Sequence, residues 1–144
     1  MNTFPLPEIT PLNEPYWKGL AEGKLQYQRC NRCAHAWLPA REDCPNCLHA
    51  DWSWQAASGR AKLISWVLFH IAYHPAFKDR VPYNVAIVEL EEGPRLVSNL
   101  IGVGEPAIEC ALRLVIEQEA GVALPRFAPA QAAQVRCMSD GSIR

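Results

Sequence analysis

The sequence predicts a mainly β protein in which a short cysteine-rich segment precedes a small antiparallel barrel. Two observations predict this class. Two Cys-x2-Cys pairs lie close together in the first third of the chain, and β-rich segments separated by turn signals fill most of residues 58–130. The length of 144 residues suits one globular domain or two small modules, which excludes a large multidomain catalyst.

The charge balance argues against a general attraction to nucleic acid or to anionic membranes. The chain holds 14 Lys and Arg against 15 Asp and Glu, a formal net charge of −1 at pH 7. No apolar stretch approaches the roughly 18–20 residues that cross a bilayer, and residues 1–11 lack a basic lead followed by an apolar block. We therefore expect a cytoplasmic protein whose thiols stay reduced, so its cysteines are first interpreted as metal ligands.

Residues 1–24 are predicted to form an extended arm followed by a short helix. Three prolines keep residues 1–13 extended. Asn13 is expected to cap the helix, Pro15 suits its first turn, and Gly23 ends it. The residues expected on its apolar face are Tyr16, Trp17, Leu20 and Ala21.

The strongest signal is Cys30-x2-Cys33, followed after ten residues by Cys44-x2-Cys47. Each pair places two thiolates on one side of a tight turn, so the two pairs can converge on a tetrahedral ion with metal–sulfur bonds of about 2.3 Å. Four thiolates leave no position for a reactive water, so the ion is expected to be structural. Zinc is favoured over iron because nothing else in the sequence supports a redox role. The ion would hold together residues 25–47, which have too few aliphatic side chains for a core of their own.

Residues 58–130 are predicted to form a closed or nearly closed antiparallel barrel, because they hold four to five strands and no second long helix. The predicted strands cover residues 61–71, 85–90, 95–101, 112–119 and 124–127. Residues 91–94, Glu-Glu-Gly-Pro, are expected to form a tight turn that makes the second and third strands a hairpin.

Four further expectations concern the barrel and its surroundings. The side chains expected to share one face of the first strand are Leu63, Ser65, Val67 and Phe69. Residues 72–83 form an insertion rich in aromatic residues, and such loops are candidates for contacts with a partner or ligand. Cys110 is expected to be a buried small apolar residue. Residues 131–144 are expected to be a loosely ordered tail.

The order of these features resembles a known family. The carrying residues are Tyr16-Trp17, the two cysteine pairs, Trp54, Ser58-Gly59-Arg60, Ser65-Trp66, His74-Pro75, Pro82-Tyr83 and Leu124-Pro125-Arg126-Phe127. In this order they resemble the zinc-ribbon plus OB-fold family of acyl-CoA-associated proteins, long catalogued as a domain of unknown function. One departure is that Ala34 and Leu48 follow the cysteine pairs where such families often have glycine.

The resemblance implies a rubredoxin-like zinc ribbon over residues 25–57 and a five-stranded antiparallel OB-fold barrel over residues 58–130. It also implies a non-catalytic accessory subunit that binds a thiolase-like enzyme or a hydratase and helps to hold or channel an acyl-CoA thioester. The thiolase-like partners implied are lipid-transfer-type thiolases, aldolases and 3-hydroxy-3-methylglutaryl-CoA synthase. The residues that the resemblance places at the interface with the partner or acyl-CoA are Trp66, Tyr73, His74, Pro75, Phe77 and Arg80.

Two other functions stay open at this point. Zinc ribbons and OB-fold barrels also bind single-stranded nucleic acid, but the barrel half of this chain is acidic. A stand-alone acyl-CoA hydrolase or hydratase would use His74 together with a glutamate such as Glu89. Turnover by the isolated chain would distinguish this last function from an accessory role.

Overall fold

The computed structural model describes residues 4–102 and 106–130. In these residues one helix and eight strands confirm the predicted mainly β class. The elements are α1 (Glu14–Ala21), β1 (Gln26–Cys30), β2 (Ala36–Trp37), β3 (Trp52–Ala56), β4 (Arg60–Phe69), β5 (Tyr83–Leu90), β6 (Arg95–Ser98), β7 (Ala111–Glu119) and β8 (Val122–Pro129), with a 3-10 helix at Pro75–Phe77. The expected tail, residues 131–144, lies outside the described residues.

The strands form two antiparallel sheets. The first has the order β2-β1-β3, and the second has the order β6-β5-β4-β7-β8. The second sheet curls until its two edges meet. They meet at Leu100 and Phe127, which form a parallel bridge. The Phe127 N–H donates to the Asn99 carbonyl at 3.1 Å, and the Ile101 N–H donates to the Phe127 carbonyl at 2.9 Å. The expected five-stranded OB-type barrel is therefore confirmed.

The helix begins and ends close to where the sequence predicts, but Asn13 does not cap it with its side chain. The Asn13 Oδ1 atom accepts a hydrogen bond from the Thr10 N–H at 2.7 Å, so it stabilises the turn that precedes the helix. At the other end Gly23 has a φ of +87°, and the Lys24 N–H donates to the Gly19 carbonyl at 2.7 Å. This is the Schellman arrangement that a glycine at this position favours.

A β-bulge in β4 makes the predicted face of this strand wrong beyond Leu63. The register runs from Leu63 opposite Val88 directly to Ser65 opposite Ile87, so Ile64 is the extra residue. Because side chains alternate along a strand, the extra residue exchanges the two faces. Leu63 is fully buried, whereas Val67 is 49% exposed and Trp66 packs against the core in its place.

One hydrophobic core joins the N-terminal helix, the start of the ribbon and the barrel. It contains Leu20 of α1, Leu25 just before β1, and buried barrel residues such as Leu63, Leu90 and Phe127. Cys110 is buried in the same core, as expected. The ribbon adds only a small cluster of its own, made of Cys30, Trp37 and Cys44. The boundaries between arm, ribbon, barrel and tail at residues 24, 57 and 130 stay predictions.

None of the helices in the described part of the chain has the length and apolar character that a membrane crossing requires.

Candidate functional site

The two cysteine pairs lie in two turns with the same backbone hydrogen bonds. In the first turn the Ala34 N–H donates to the Cys30 carbonyl at 3.1 Å, and the Cys30 N–H donates to the His35 carbonyl at 2.8 Å. In the second turn the Leu48 N–H donates to the Cys44 carbonyl at 2.8 Å. Its Cys44 N–H donates to the His49 carbonyl at 2.9 Å. Each pair is therefore held on a rigid turn.

Backbone N–H groups point at the first sulfur of each pair. The N–H groups of Arg32 and Cys33 lie 3.3 and 3.4 Å from the Cys30 sulfur. The Cys44 sulfur has the equivalent contacts at 3.4 and 3.5 Å, from the N–H groups of Asn46 and Cys47. Such donors stabilise a thiolate more than a thiol, because they interact with its negative charge.

The residue after each pair takes a left-handed backbone conformation without being glycine. Ala34 and Leu48 both have a φ of +67°. The Cβ atom of an L-residue makes this conformation unfavourable by roughly 1–2 kcal/mol. The turn that the sequence indicates is thus formed despite the departure from glycine.

The four sulfurs converge in the geometry that a tetrahedral metal requires. All four lie within 4.8 Å of one another, with Cys30 to Cys47 at 3.5 Å and Cys33 to Cys44 at 3.6 Å. A tetrahedron with metal–sulfur bonds of about 2.3 Å has edges of about 3.8 Å. The residues present therefore fit a four-cysteine metal site.

The ionisation of the thiols also favours a cation. The Asn46 side-chain amide, at 3.5 Å from the Cys33 sulfur, lowers the pKa of this thiol to about 6. The His49 N–H lowers the pKa of Cys47, but burial and the neighbouring thiols outweigh it and raise this pKa to about 12. Four adjacent thiols cannot all lose their protons while no positive charge lies between them, and a bound divalent cation supplies that charge.

Gln28 is a residue of this centre that sequence reasoning missed. Its side chain is fully buried, donates to the Arg41 carbonyl at 2.9 Å and accepts from the Arg41 N–H at 2.8 Å. Gln28 thereby attaches the segment between the two cysteine pairs to strand β1. A buried polar residue in a strand has no local sequence signal. Only the contact with Arg41, 13 residues further along the chain, shows the role of Gln28.

The insertion after β4 packs on the barrel through aromatic rings and leaves part of itself exposed. The Phe77 ring lies 5.6 Å from the Tyr83 ring and 5.5 Å from the Phe4 ring. Tyr73 is 77% exposed although its ring contacts Phe69. His74 Nδ1 accepts the Ala76 N–H at 3.0 Å and so caps the short 3-10 helix. Of the candidate interface residues, Trp66 is the one that packs against the core.

Arg80 connects this insertion to a charged network on the barrel. Its guanidinium lies 5.2 Å from the centre of the Phe4 ring and 5.4 Å from that of Phe77, and it pairs with Glu119. Glu119 also pairs with Arg126, which is only 15% exposed. Arg126 contacts Glu117 at 3.2 Å and donates to the Asn99 side chain. The family resemblance implied Arg80 as an interface residue, but nothing in the sequence indicated its ion pair with Glu119 or the link from Glu119 to Arg126.

Two grooves lie between the N-terminal segment and the barrel. The larger has a volume of about 910 Å³ and the smaller about 500 Å³. Residues that line the larger groove include Tyr16, Trp17, Tyr83, Val97, Leu124 and Arg126. The smaller groove shares Tyr16, Trp17 and Val97 with it and adds residues of the ribbon such as Leu38. Volumes of about 300–1,000 Å³ with mostly apolar walls are typical of small-molecule sites.

The structure does not bring together the two residues of the stand-alone enzyme hypothesis. His74 lies in the insertion near Tyr83, whereas Glu89 lies six residues further along β5. At about 3.4 Å per residue this separates Glu89 from Tyr83 by about 20 Å. Glu89 instead pairs with Arg95 at 2.9 Å and with Lys62 at 3.6 Å.

Comparison with protein families gives two adjacent matches. The model described as the ChsH2 rubredoxin-like zinc ribbon domain matches residues 17–53. The model described as the ChsH2 C-terminal OB-fold domain matches residues 54–117. The two matches together span the cysteine pairs and most of the barrel.

Curated relatives show the same likeness. A probable enoyl-CoA hydratase alpha subunit of Thermomonospora curvata is 36% identical over 129 residues, which are 88% of this chain and 40% of that protein. A DUF35 domain-containing scaffold protein of Methanocaldococcus jannaschii is 34% identical over 74 residues, which are 51% of this chain and 52% of that protein. The chain thus spans about half or less of the length of these two relatives.

Two solved structures are similar in fold. A chain described as Ltp2-ChsH2(DUF35) aldolase has a TM-score of 0.76 and 34% identity, and the match covers 87% of this chain and 99% of that chain. A DUF35-family protein of unknown function from Sulfolobus solfataricus has a TM-score of 0.61. Its identity of 16% over 83% of this chain and 85% of that chain shows a shared fold alone.

Proposed function

The chain belongs to the ChsH2/DUF35 family, in which a rubredoxin-like zinc ribbon precedes an OB-fold domain, and from this we propose a non-catalytic accessory subunit. In this proposal the chain binds a thiolase-like enzyme or a hydratase in the cytoplasm. It helps to hold or channel an acyl-CoA thioester there, as part of lipid metabolism. Membranes and nucleic acid are not among its proposed partners.

The observation that carries the proposal is the 34% identity to the chain described as Ltp2-ChsH2(DUF35) aldolase, which this chain covers almost completely. The name of that structure joins a DUF35 chain to an aldolase. Two further names point the same way, since one relative is called a scaffold protein and another an enoyl-CoA hydratase alpha subunit. An accessory role beside an acyl-CoA enzyme fits all three names.

We propose that Cys30, Cys33, Cys44 and Cys47 hold one zinc ion. The four sulfurs have the separations of a tetrahedral site, and an ion with four thiolate ligands supplies charge neutralisation and a cross-link rather than a reactive water. The ribbon needs such a cross-link because its own buried cluster contains little besides two of the cysteines and Trp37.

The partner or thioester is proposed to contact the insertion after β4. Tyr73, Pro75 and Arg80 are exposed, and Ile71 adds a further exposed apolar side chain beside them. Exposed aromatic residues and arginine are the types enriched in protein interfaces. The full proposed set is Trp66, Tyr73, His74, Pro75, Phe77 and Arg80, in which Trp66 would support the others from the core.

The test is to isolate the chain from its native cell with an affinity tag and to identify what remains bound. We expect a thiolase-like enzyme or a hydratase. The acyl-CoA activity of that enzyme should fall when the chain is left out and return when the chain is added. A Tyr73→Ala variant should weaken the complex, whereas Leu48→Ala, a change of an exposed residue on the ribbon, should leave it unchanged.

Two results would contradict the proposal. Acyl-CoA turnover by the purified chain alone, lost in His74→Ala, would establish an enzyme instead. Salt-dependent binding of single-stranded DNA, without any captured acyl-CoA enzyme, would establish a nucleic-acid-binding module.

A further inference from the structure

Strand β3 forms one edge of the ribbon sheet, in which the strand order is β2-β1-β3. It pairs with β1 on one side, and β1 is the element with which it makes extended contact. Among residues 4–102 and 106–130 no strand pairs with its other side. An edge strand presents a row of N–H and C=O groups to which another strand can bond.

The register with β1 defines which backbone groups of β3 face outward. The Ala57 N–H donates to the Leu25 carbonyl at 2.8 Å, so this pair is hydrogen-bonded. Hydrogen-bonded and non-hydrogen-bonded pairs alternate along an antiparallel ladder. Gln55 and Ser53 therefore bond to β1. The residues whose N–H and C=O groups point away from β1 are Trp52, Trp54 and Ala56.

These outward-facing groups are free to bind another strand. In the described part of the chain, the backbone N–H and C=O groups of Trp52, Trp54 and Ala56 have no hydrogen-bond partner. They are spread over about 14 Å, at about 3.4 Å per residue. The strand of five residues has the usual length of about 5–6, so one extended segment can pair with the whole edge.

The edge of β3 lacks the features that protect other edge strands from pairing. None of its five residues is charged and none is proline, although lysine and proline are common protective residues. Strand β8 in the barrel differs in this respect. The Ala130 N–H donates to the Ala111 carbonyl, so by alternation Pro125 is one of the β8 residues that face away from β7. Proline has no N–H to offer there.

A second copy of the chain offers a free edge of the same length and composition. Two β3 strands can run antiparallel about a two-fold axis at Trp54, with Trp54 opposite Trp54 of the second copy. Trp52 of each copy then lies opposite Ala56 of the other. In this register every outward N–H meets an outward C=O, and three donors and three acceptors on each copy form six hydrogen bonds.

The side chains also suit this register. The Trp52 ring lies 5.9 Å from the Trp54 ring and 6.4 Å from the Trp37 ring, so an aromatic row leads to the proposed axis. The two Trp54 side chains would form a cross-strand aromatic pair, which stabilises antiparallel strands. The small Ala56 leaves space for Trp52 of the other copy. Because β3 has no charged side chain, no like charges lie opposite each other within the paired strands.

We propose that the chain forms a symmetric dimer in which β3 pairs with β3 of a second copy. The two three-stranded ribbon sheets then become one continuous sheet. Five residues on each copy make a small interface, so the dimer is reversible, with a dissociation constant of about 1–100 µM. This surface shares no residue with the insertion that is proposed to contact the partner enzyme.

The test is analytical ultracentrifugation of the metal-loaded full chain at about 1–500 µM, a range around the expected dissociation constant. We expect the mass to rise with concentration from the 16.1 kDa of one chain toward twice that value. Ala56→Pro removes an outward N–H without removing a bond to β1, so the dimer loses two of its hydrogen bonds. Its dissociation constant should rise about tenfold or more. Ala56→Ser keeps the N–H and should change the dissociation constant less than about threefold.

A second pair of variants tests the position of the axis. Trp54→Lys and Trp54→Glu each place two like charges opposite each other, so each variant alone should be monomeric. An equimolar mixture should form a heterodimer, because the introduced lysine then lies opposite the introduced glutamate. Recovery in the mixture also shows that both variants fold. This pair keeps the test valid if Ala56→Pro does not fold.

A wild-type chain that stays monomeric up to about 500 µM would overturn the inference, since the expected dissociation constant lies well below that concentration. A dimer that Ala56→Pro leaves unchanged would overturn it as well, as would a mixture of folded Trp54→Lys and Trp54→Glu variants that stays monomeric. A monomeric wild type whose capture of the partner enzyme is lost in Ala56→Pro would assign the edge to a strand of that enzyme instead.

Discussion

At the scale of single residues, the side chains of Ala34 and Leu48 reduce the stability of the two cysteine turns. Ala34 takes a φ of +67° because the Cys30 and Cys33 sulfurs must point to the same place. Its Cβ makes that conformation unfavourable, and glycine would remove the conflict. The same holds for Leu48 in the second turn.

We therefore expect Ala34→Gly to stabilise the chain by about 1 kcal/mol, since the relieved backbone conflict exceeds the extra freedom of glycine in the unfolded chain. Urea unfolding of the metal-loaded chain measures this. The matched control is Ala36→Gly in strand β2, where φ is not positive and glycine should destabilise by roughly 0.5–1 kcal/mol. Equal effects of the two changes would show that the turn is not strained.

A second residue-scale prediction concerns Glu119, which pairs with both Arg80 and Arg126. Glu119→Gln would leave the mostly buried Arg126 with Glu117 as its remaining carboxylate, so we expect a loss of about 1–3 kcal/mol in the free energy of unfolding. Glu117→Gln is the control, since Glu117 is more exposed and should cost less than about 1 kcal/mol. Thermal unfolding of both variants distinguishes a structural network from a surface pair.

At the scale of elements, we expect the ribbon to depend on a metal bound by its four cysteines and the barrel to be independent of it. Cys44→Ser should lose the bound metal and make residues 25–57 sensitive to protease, because these residues bury little apolar surface without the ion. His49→Ala is the matched control, since it removes an exposed side chain two residues after Cys47 and keeps all four cysteine sulfurs in place. Metal content by mass spectrometry and the positions of protease cleavage measure the outcome. Full metal content in Cys44→Ser would refute the four-cysteine site.

Local patterns were sufficient for most elements of this fold. Proline and glycine positions predicted the helix and its end, and the spacing of Cys30, Cys33, Cys44 and Cys47 predicted their convergence. The face of β4 was predicted wrongly, because the bulge at Ile64 is fixed by pairing with β5 and leaves no mark in the strand itself.

The residues of the candidate site also form two groups, those that a local sequence pattern predicts and those that it does not. The sequence predicted the metal ligands and the aromatic insertion from residue types close together in the chain. Gln28 with Arg41 and Arg126 with Asn99 are contacts between segments 13 and 27 residues apart, so no local pattern could show them. Asn13 shows a smaller limit of prediction from residue type. Asparagine suits a helix cap, but the Asn13 side chain accepts a hydrogen bond from the Thr10 N–H instead.

At the scale of the whole molecule, helix α1 links the ribbon to the barrel. Leu20 is fully buried in the core that also contains Leu25 and Phe127. Leu20→Ala should lower the free energy of unfolding by about 2–5 kcal/mol. Ribbon and barrel should still unfold in one transition, because they share this core. Leu48→Ala, at a position 75% exposed, is the control and should change stability by less than about 0.5 kcal/mol. Two separate transitions in the wild-type chain would contradict a shared core.

Helix α1 is made before the ribbon and the barrel, yet it packs against β8, the last strand among residues 4–130 that the structure describes. A ribosome that has finished the ribbon and three of the barrel strands has produced a helix whose final neighbour does not yet exist. Until Pro129 leaves the exit tunnel, Tyr16 and Trp17 face water or a chaperone. Cellular shortage of such helpers should therefore reduce the yield of folded protein.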